Sequence, residues 1–283
     1  TNQGFLCLKI LNSDLFRKLV NQIEKKDKED DFGDDDDDDL KDEEESEDEI
    51  DVDKVKQLYK EYELLFQLDH PNVVKVYGFF FGDKEHNPAI LLEYCKFNLE
   101  EAIKKKLTDA DLVSFIYEII AAMKYVHKNK IIHRDLKMKN ILITKDKHVK
   151  ICDFGISKVV DVTTYTSITT GIGTTAFMAP ELVSPKGTYN EKVDVYAFGV
   201  VMYFILTKGE MPPFRGIGKY AKLELPSCIN NFSQSIIKKC WSKDPNERPS
   251  FKEIKKLIVL NEFKLIDGVE SEIVNILSHL GLK

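Results

Sequence analysis

The sequence predicts an α+β fold in which a small strand-rich part is followed by a larger, mainly helical part. Three short apolar runs, at residues 5–11, 73–81 and 89–94, have the length and composition of β-strands. From Leu99 onward the apolar residues recur mostly at helical spacing. The chain has 283 residues, of which 43% are hydrophobic and 31% charged, so it can bury a large core.

The strand-rich part also contains predicted helix. Apolar side chains recur at helical spacing from Val55 to Leu68, which predicts a helix over about residues 53–68. The sequence His-Pro-Asn at residues 70–72 ends it, because the residue before a proline disfavours helical backbone. Residues 12–26 could form a further helix.

Charge is distributed unevenly along the chain, whose net charge is −7. Between Asp27 and Asp53 there are 19 acids and two lysines, a net charge of −17, whereas the remaining residues carry 29 acids and 39 bases, a net charge of +10. We call residues 27–53 the acidic strip and expect a disordered insertion there, because such a segment repels itself and buries little apolar surface. The strip is either a solvated insertion or a segment that attracts a basic partner. It would repel phosphates, so we expect no nucleic-acid partner.

The cysteines and the longest uncharged stretch of the apolar region after Asp194 indicate the compartment. The five cysteines show no CxxC spacing, which indicates neither a zinc site nor a disulfide framework and favours a reducing, intracellular and cytoplasmic setting. The uncharged stretch after Asp194, residues 195–207, has 13 residues and is too short to span a bilayer, so we expect no membrane segment within the chain. Because the first residue is Thr1, we expect a fragment or a processed product, with any targeting segment upstream.

Three motifs stand in a fixed order in the centre of the chain. They are HRDLKMKN at residues 133–140, DFG at residues 153–155 and APE at residues 179–181. A lone DFG would indicate only a turn, but all three in this order resemble the catalytic loop, the metal-binding loop and the end of the activation segment of eukaryotic protein kinases. The run CWSKDPNERPSF at residues 240–251 is similar to the form found in tyrosine-kinase-like and tyrosine kinases.

This resemblance, which extends from about residue 5 to about residue 260, implies a bilobal fold. A partial antiparallel sheet with one helix would form the amino-terminal lobe at residues 4–95, and a mainly helical carboxy-terminal lobe would follow at residues 96–260, with ATP bound between the lobes. We expect a helical extension at residues 261–283. The implied activity is transfer of the γ-phosphate of ATP to serine or threonine of a protein substrate, within the tyrosine-kinase-like group.

The resemblance also assigns roles to the motif residues. Asp135 would accept the proton of the substrate hydroxyl, a role that suits a carboxylate. Asn140 and Asp153 would bind Mg²⁺, because this cation prefers oxygen ligands and shares its shell with phosphates. Lys137 would lie near the transferred phosphate, and a lysine at this position is typical of serine/threonine kinases.

Residues outside the central motifs are assigned to ATP. The strand sequence LCLK at residues 6–9 is similar to the VAIK of the family, so Lys9 would hold the α- and β-phosphates. Its partner would be Glu61, ten residues before the proline of His-Pro-Asn, and the acidic strip explains their separation of 52 residues. The same resemblance assigns the adenine pocket to Leu92, Glu93, Cys95 and Leu142.

The segment between Asp153 and Glu181 carries ten Ser, Thr or Tyr residues, which suggests regulatory phosphorylation by an activating kinase in trans, although a flexible polar loop would have the same composition. Arg134 would pair with an activation-loop phosphate. The expected phosphorylation sites are Thr169 and Thr170, whereas Thr174 would contact the catalytic loop. The resemblance further implies a buried ion pair between Glu181 and Arg248.

One family feature is missing from the sequence. No Gly-x-Gly-x-x-Gly motif occurs, and we expect the phosphate-covering loop to lie before the first residue. One alternative is a pseudokinase or scaffold that acts by binding, against which the presence of Asp135, Asn140 and Asp153 argues. The other is a tyrosine or dual-specificity kinase, which Lys137 opposes.

Overall fold

The computed structural model describes residues 6–10, 48–83, 86–155, 158–159, 175–183, 189–213, 216, 220, 223–261 and 264–269. The chain divides into two compact units. We call them the amino-terminal unit, which comprises Thr1–Asp69 and Lys75–Tyr94, and the carboxy-terminal unit, which comprises His70–Val74 and Cys95–Lys283. The chain contains antiparallel sheets and helices in an α+β, kinase-like arrangement, which confirms the predicted fold class.

The structure contains strands and helices with the following bounds. The strands are β1 (Leu6–Ile10), β2 (Val76–Phe80), β3 (Ala89–Glu93), β4 (Phe97–Asn98), β5 (Ile131–Ile132), β6 (Ile141–Ile143), β7 (Val149–Ile151) and β8 (Lys158–Val159). The α-helices are α1 (Asp48–Phe66), α2 (Leu99–Ala102), α3 (Asp109–Lys128), α4 (Lys192–Leu206), α5 (Asn231–Cys240) and α6 (Phe251–Leu260). In the part of the chain that the structure describes, short 3₁₀ turns span Met138–Asn140, Thr175–Phe177, Pro180–Val183 and Pro245–Glu247.

The amino-terminal unit contains a three-stranded antiparallel sheet in the order β1-β3-β2, against which α1 packs. The three predicted strands are therefore confirmed. The central strand β3 is the most buried, and Ile90 pairs with Lys9 on one side and Phe79 on the other. Leu8 on β1 is exposed, and among the described strands β1 pairs with β3 alone.

The acidic strip departs from its prediction at its carboxyl end. Residues 48–53 form the first turns of α1, where we expected disorder and a helix start near Asp53. Acidic residues are favourable in the first turn of a helix because they interact with the partial positive charge of the exposed N–H groups. The rest of the strip, residues 27–47, and the predicted helix over residues 12–26 lie outside the described residues.

The carboxy-terminal unit is built around α4, a helix that is apolar on all sides and buried along nearly its whole length. It begins at Lys192, two residues before Asp194. Gly199 permits close packing, because a Cβ built there would lie 2.6 Å from Nε1 of Trp241. The indole of Trp241 is thereby brought against the helix backbone, as part of the core.

Two small sheets position the functional loops of this unit. The order of one is β4-β6-β7, and β5 pairs with β8 in the other. Residues 133–140, which we call the catalytic loop, connect β5 to β6. The DFG residues 153–155 follow β7 after one residue, Cys152, and β7 pairs with β6. Pairing of β6 with β7 therefore brings the ends of the two loops together.

The helical extension that we expected over residues 261–283 is described only at residues 261 and 264–269, where the structure shows no helix. Residues 264–269 form turns, and Gly268 has a left-handed φ of 86° that ends any helix. Contacts with α5 hold this segment, because Leu265 is buried and its carbonyl oxygen accepts a hydrogen bond from Oγ of Ser233 at 2.7 Å. Residues 270–283 lie outside the described part. Among the described helices, none is long and apolar enough to cross a membrane.

Candidate active site

The backbone of the catalytic loop is held by a buried carboxylate on α4. The backbone N–H groups of His133 and Arg134 donate to Oδ2 and Oδ1 of Asp194 at 2.9 and 2.8 Å. Arg134 has a φ of 67°, a left-handed conformation that is costly for a residue with a side chain. The two hydrogen bonds offset that cost and fix the point at which the loop turns.

Asp194 is ionised although it is buried. Burial works to raise its pKa, but the hydrogen bond and charge of His127 and the backbone N–H of His133 outweigh burial and lower the pKa below its ordinary value of 3.8. Nε2 of His127 donates to Oδ2 of Asp194 at 2.8 Å. Asp194 also lies in the first turn of α4, where a negative charge is favourable.

Two side chains of the same loop, Lys137 and Asn140, hold the side chain of Asp135. Nζ of Lys137 lies 2.5 Å from its Oδ2, and Nδ2 of Asn140 donates to the same oxygen at 2.9 Å and to the Asp135 carbonyl oxygen at 2.8 Å. In the described part of the chain, no group donates to the other carboxylate oxygen, Oδ1. The carboxylate is 12% exposed. It is therefore fixed in orientation and keeps one oxygen for a further donor.

His133 joins the catalytic loop to the DFG residues. The N–H of Asp135 donates to Nδ1 of His133 at 3.3 Å, so the ring proton is on Nε2, which donates to the Cys152 carbonyl oxygen at 3.0 Å. The buried ring of Phe154 lies 4.7 Å from the His133 ring, centroid to centroid. His133 therefore fixes the backbone on both sides of the site.

The predicted metal ligands, Asn140 and Asp153, lie on segments that contact each other. The N–H of Cys152 donates to the Asn140 carbonyl oxygen at 3.0 Å, and Asp153 follows with a left-handed φ of 65°. Both Asn140 N–H bonds go to Asp135, so Oδ1 is its remaining ligand atom. Within the described ranges, no group of three or more His, Cys, Asp or Glu forms a metal cluster. One amide and one carboxylate suit Mg²⁺, which usually takes few protein ligands and keeps water and phosphate.

Lys9 and Glu61 are brought together within the amino-terminal unit. Nζ of Lys9 lies 2.8 and 2.7 Å from Oε1 and Oε2 of Glu61, although 52 residues separate the two. The Glu61 side chain is 3% exposed and that of Lys9 is 37% exposed, so a buried carboxylate holds an accessible ammonium group. Their assigned roles toward ATP stay predictions.

The residues assigned to the adenine pocket lie on β3, shortly after β3 and on β6. Leu92 and Glu93 are on β3, and the N–H of Glu93 donates to the Lys75 carbonyl oxygen at 2.8 Å. Cys95 follows β3 in sequence, and Leu142 is the half-buried centre of β6, opposite Asn98. Their assignment to the adenine stays a prediction.

The predicted regulatory residues are only partly described. Thr169, Thr170 and Thr174 lie outside the described residues. Arg134 donates from Nη1 to the hydroxyl of Tyr189 at 2.7 Å, a contact that sequence reasoning missed because no motif marks Tyr189. The tyrosine ring also lies 6.0 Å from the guanidinium carbon.

The predicted ion pair of Glu181 and Arg248 is confirmed. Nη1 and Nη2 of Arg248 lie 2.6 and 2.9 Å from Oε1 and Oε2 of Glu181, a bidentate arrangement. Arg248 is fully buried, and its Nη1 and Nε also donate to the carbonyl oxygens of Lys192 and Ser242. The pair anchors the APE residues to the elements around α4.

Comparisons with known proteins identify the family. A model of the family "Protein tyrosine and serine/threonine kinase" matches residues 44–258. A probable serine/threonine-protein kinase of Dictyostelium discoideum is 36% identical over 222 residues, which are 71% of this chain and 16% of that protein. Mitogen-activated protein kinase kinase kinase 12 of Rattus norvegicus is 39% identical over 226 residues, which are 73% of this chain and 24% of that protein.

A tyrosine-kinase relative is also found: the tyrosine-protein kinase receptor svh-2 of Caenorhabditis elegans is 30% identical over 235 residues, 77% of this chain and 21% of that protein. The chain spans about a quarter or less of the length of these relatives. The family match covers most of the chain, including the catalytic loop, the DFG residues and the Glu181–Arg248 pair. The chain therefore belongs to the protein kinase family, in its tyrosine-kinase-like group.

Proposed function

We propose that this chain is a serine/threonine protein kinase, which transfers the γ-phosphate of ATP to a hydroxyl group of a protein substrate. The observation that carries the proposal is the environment of Asp135. Lys137 and Asn140 donate to one of its carboxylate oxygens, and no described group donates to the other. An oriented carboxylate with a free oxygen can align a substrate hydroxyl and accept its proton late in the reaction.

The catalytic loop contributes mainly by orientation, which is the principal need of phosphoryl transfer. The substrate oxygen attacks the γ-phosphorus, its proton passes to Oδ1 of Asp135, and ADP leaves. The ammonium group of Lys137, 2.5 Å from Asp135, balances negative charge on the transferred phosphoryl group. Its presence at this position favours serine and threonine over tyrosine.

The nucleotide is assigned to residues of both units. When bound, Mg²⁺ neutralises phosphate charge. Asn140 offers it Oδ1, and Asp153 offers a carboxylate. The Lys9 ammonium group, held by the buried Glu61, binds the α- and β-phosphates. The adenine is assigned to Leu92, Glu93, Cys95 and Leu142, of which Glu93 and Cys95 bind through the backbone.

The proposal includes regulation by phosphorylation and a cellular compartment. Thr169 and Thr170 are proposed phosphorylation sites of an activating kinase in trans, and Thr174 a contact of the catalytic loop. Arg134, which donates to Tyr189 here, is the proposed partner of the phosphate. The five free cysteines favour a reducing, intracellular compartment.

The test is phosphosite mapping by mass spectrometry after incubation of the chain with Mg-ATP and a generic protein substrate. We expect phosphate on serine or threonine, and none with the Asp135→Asn variant as control. Phosphotyrosine alone would contradict the argument from Lys137. Phosphate at equal levels in the parent and the variant would contradict the role of Asp135.

The competing proposal is a pseudokinase, which binds nucleotide without transferring phosphate. Thermal denaturation with and without nucleotide, together with the transfer assay, distinguishes the two functions. A pseudokinase would show a rise in Tm with nucleotide but no phosphate transfer. The hydrogen bonds that orient Asp135 favour a catalytic function over binding alone, because a protein that only binds nucleotide does not require an oriented carboxylate.

A further inference from the structure

A cavity of about 570 Å³ lies beside the catalytic loop, wholly within the carboxy-terminal unit. Lys137 lines it and contacts Asp135 at 2.5 Å, so the cavity opens next to the carboxylate that would receive the substrate hydroxyl. Its volume is that of a site for a small ligand or a few side chains. A polypeptide whose hydroxyl reaches Asp135 would therefore place neighbouring residues in this cavity.

The described lining of the cavity is strongly basic. It includes four lysines, at positions 104, 137, 139 and 208, and one acid, Glu100. We call it the lysine cavity. Two of these cations have partners, because Lys137 contacts Asp135 and Nζ of Lys208 lies 2.8 Å from Oδ1 of Asp109. Lys104 and Lys139 are exposed, and neither forms an ion pair with any described residue.

The rest of the lining supplies an apolar floor. Ile103, Met138 and Phe204 line the cavity and are buried. A long cationic side chain at the rim of such a floor can cover apolar atoms with its methylene groups while its ammonium group stays accessible. The combination suits a peptide segment with acidic side chains at the rim.

From this lining we infer that the kinase selects substrates whose phosphorylated residue is flanked by aspartate or glutamate, and that Lys104 and Lys139 of the lysine cavity bind those carboxylates. The inference rests on the proposed function, since it names the substrate class of the same site. The ammonium groups of Lys104 and Lys139 would attract the carboxylates of such a substrate. Substrates with lysine or arginine beside the phosphorylated residue would be repelled. The acidic strip of this chain also carries many carboxylates. The test must therefore distinguish a separate acidic substrate from the acidic strip as the ligand of the lysine cavity.

The test measures peptide binding, which does not depend on turnover. Two fluorescent peptides share one serine and differ only in the flanks, which carry Asp and Glu in one and Asn and Gln in the other. Anisotropy titrations at low salt give Kd for both peptides with the full chain, with Lys104→Glu/Lys139→Glu and with Lys104→Gln/Lys139→Gln. The matched control is Lys243→Glu/Lys252→Glu, which changes the charge equally at exposed positions outside the cavity lining.

We expect the acidic peptide to bind roughly five-fold or more tightly than its amide counterpart, since each exposed ion pair changes affinity up to about five-fold. The preference should disappear in the glutamate variant, weaken in the glutamine variant and persist in the control. Equal binding of the two peptides, or a preference that survives Lys104→Glu/Lys139→Glu, would overturn the inference. Binding with the expected preference but without phosphate transfer to either peptide would refute the proposed function alone.

A deletion of residues 30–47 separates the sources of the acidic ligand. If the cavity serves a separate substrate, the Kd of the acidic peptide should be unchanged in the deleted chain. A several-fold gain in affinity that Lys104→Glu/Lys139→Glu abolishes would assign the cavity to the acidic strip of this chain and would overturn the substrate assignment.

Discussion

Asp135 and Asp194 are two carboxylates whose neighbours give them different tasks. Asp194 is buried and receives three donors over its two oxygens, so it is closed off from a ligand and acts on the backbone of the catalytic loop. Asp135 has both of its side-chain donors at one oxygen, which leaves the other for a substrate. The distribution of donors therefore distinguishes the proposed catalytic residue from the residue that positions its loop.

The variant Asp135→Asn tests the catalytic assignment. An amide cannot accept the substrate proton, so the rate of phosphate transfer should fall roughly a hundred- to ten-thousand-fold, the range of general base catalysis. The affinity for ATP should change little, because Asp135 is not among the residues assigned to the nucleotide. Single-turnover kinetics and calorimetric titration with Mg-ATP measure the two quantities. Loss of ATP affinity in this variant would count against the assigned role.

The variant Asp194→Asn tests the positioning role. Its amide N–H₂ group would face an N–H donor, so the free energy of unfolding at pH 7 should fall by roughly 3 kcal/mol. Urea denaturation measures this, with Asp244→Asn as control, because Asp244 is an exposed helix cap and asparagine caps equally well. A loss no larger than that of the control would argue against the role of Asp194.

The pH dependence of stability provides a second measurement on Asp194. Because its folded pKa lies below the ordinary 3.8, the stability that its charge contributes is fully present above that value and is lost as the pH falls through the folded pKa. The parent should therefore lose stability on acidification below about pH 4. Urea titrations between pH 5 and pH 3 should show a smaller loss for Asp194→Asn; identical slopes would contradict the lowered pKa.

At the scale of elements, periodic patterns predict the strands and helices well. β3 ends within one residue of its prediction, because its apolar residues are contiguous and bounded by turn residues. The start of α1 is five residues earlier than predicted, because acidic residues without apolar periodicity are still acceptable in a first helical turn. Short sequence motifs likewise locate Asp135, Asn140 and Asp153.

Other features could not be predicted, because they depend on contacts between distant residues. The hydrogen bonds of Arg134 to Tyr189 and to Asp194 span 55 and 60 residues. The lysine cavity joins side chains of α2, the catalytic loop and the end of α4. Tertiary packing alone brings such residues together, and neither hydrophobic period nor motif spacing encodes which of them meet.

The packing of α4 leads to a prediction at Gly199. Alanine is a better helix former than glycine by roughly 1 kcal/mol, which would favour Gly199→Ala. Its Cβ would lie 2.6 Å from Nε1 of Trp241 and 2.9 Å from Cβ of Cys240, so overpacking should outweigh that gain and give a net destabilisation of roughly 1–3 kcal/mol. Thermal denaturation with Gly78→Ala as control tests this, since a Cβ at Gly78 has no atom within 4 Å. Stabilisation by Gly199→Ala would refute the close contact.

For the whole molecule, charge is separated along the chain. The acidic strip carries a net charge of −17, and the remaining residues carry +10. Residues 27–47 of the strip fall in the connection between β1 and α1, the elements that supply Lys9 and Glu61, and that connection is 37 residues long, from residue 11 to residue 47. Lys9 and Glu61 lie on opposite sides of this connection in the sequence. Their ion pair therefore closes a long loop.

A shortened connection tests whether the strip matters for the fold. Deletion of residues 30–47 removes 18 of the 37 residues, among them 13 acids and one lysine, and leaves α1 whole. Halving a loop lowers its closure cost by roughly 0.6 kcal/mol, and removing like charges relieves repulsion, so the deleted chain should be slightly more stable. The gain should be largest at low salt, where screening is weakest. Melting curves at low and high salt measure it, and loss of the cooperative transition would show that the strip is part of the folded structure.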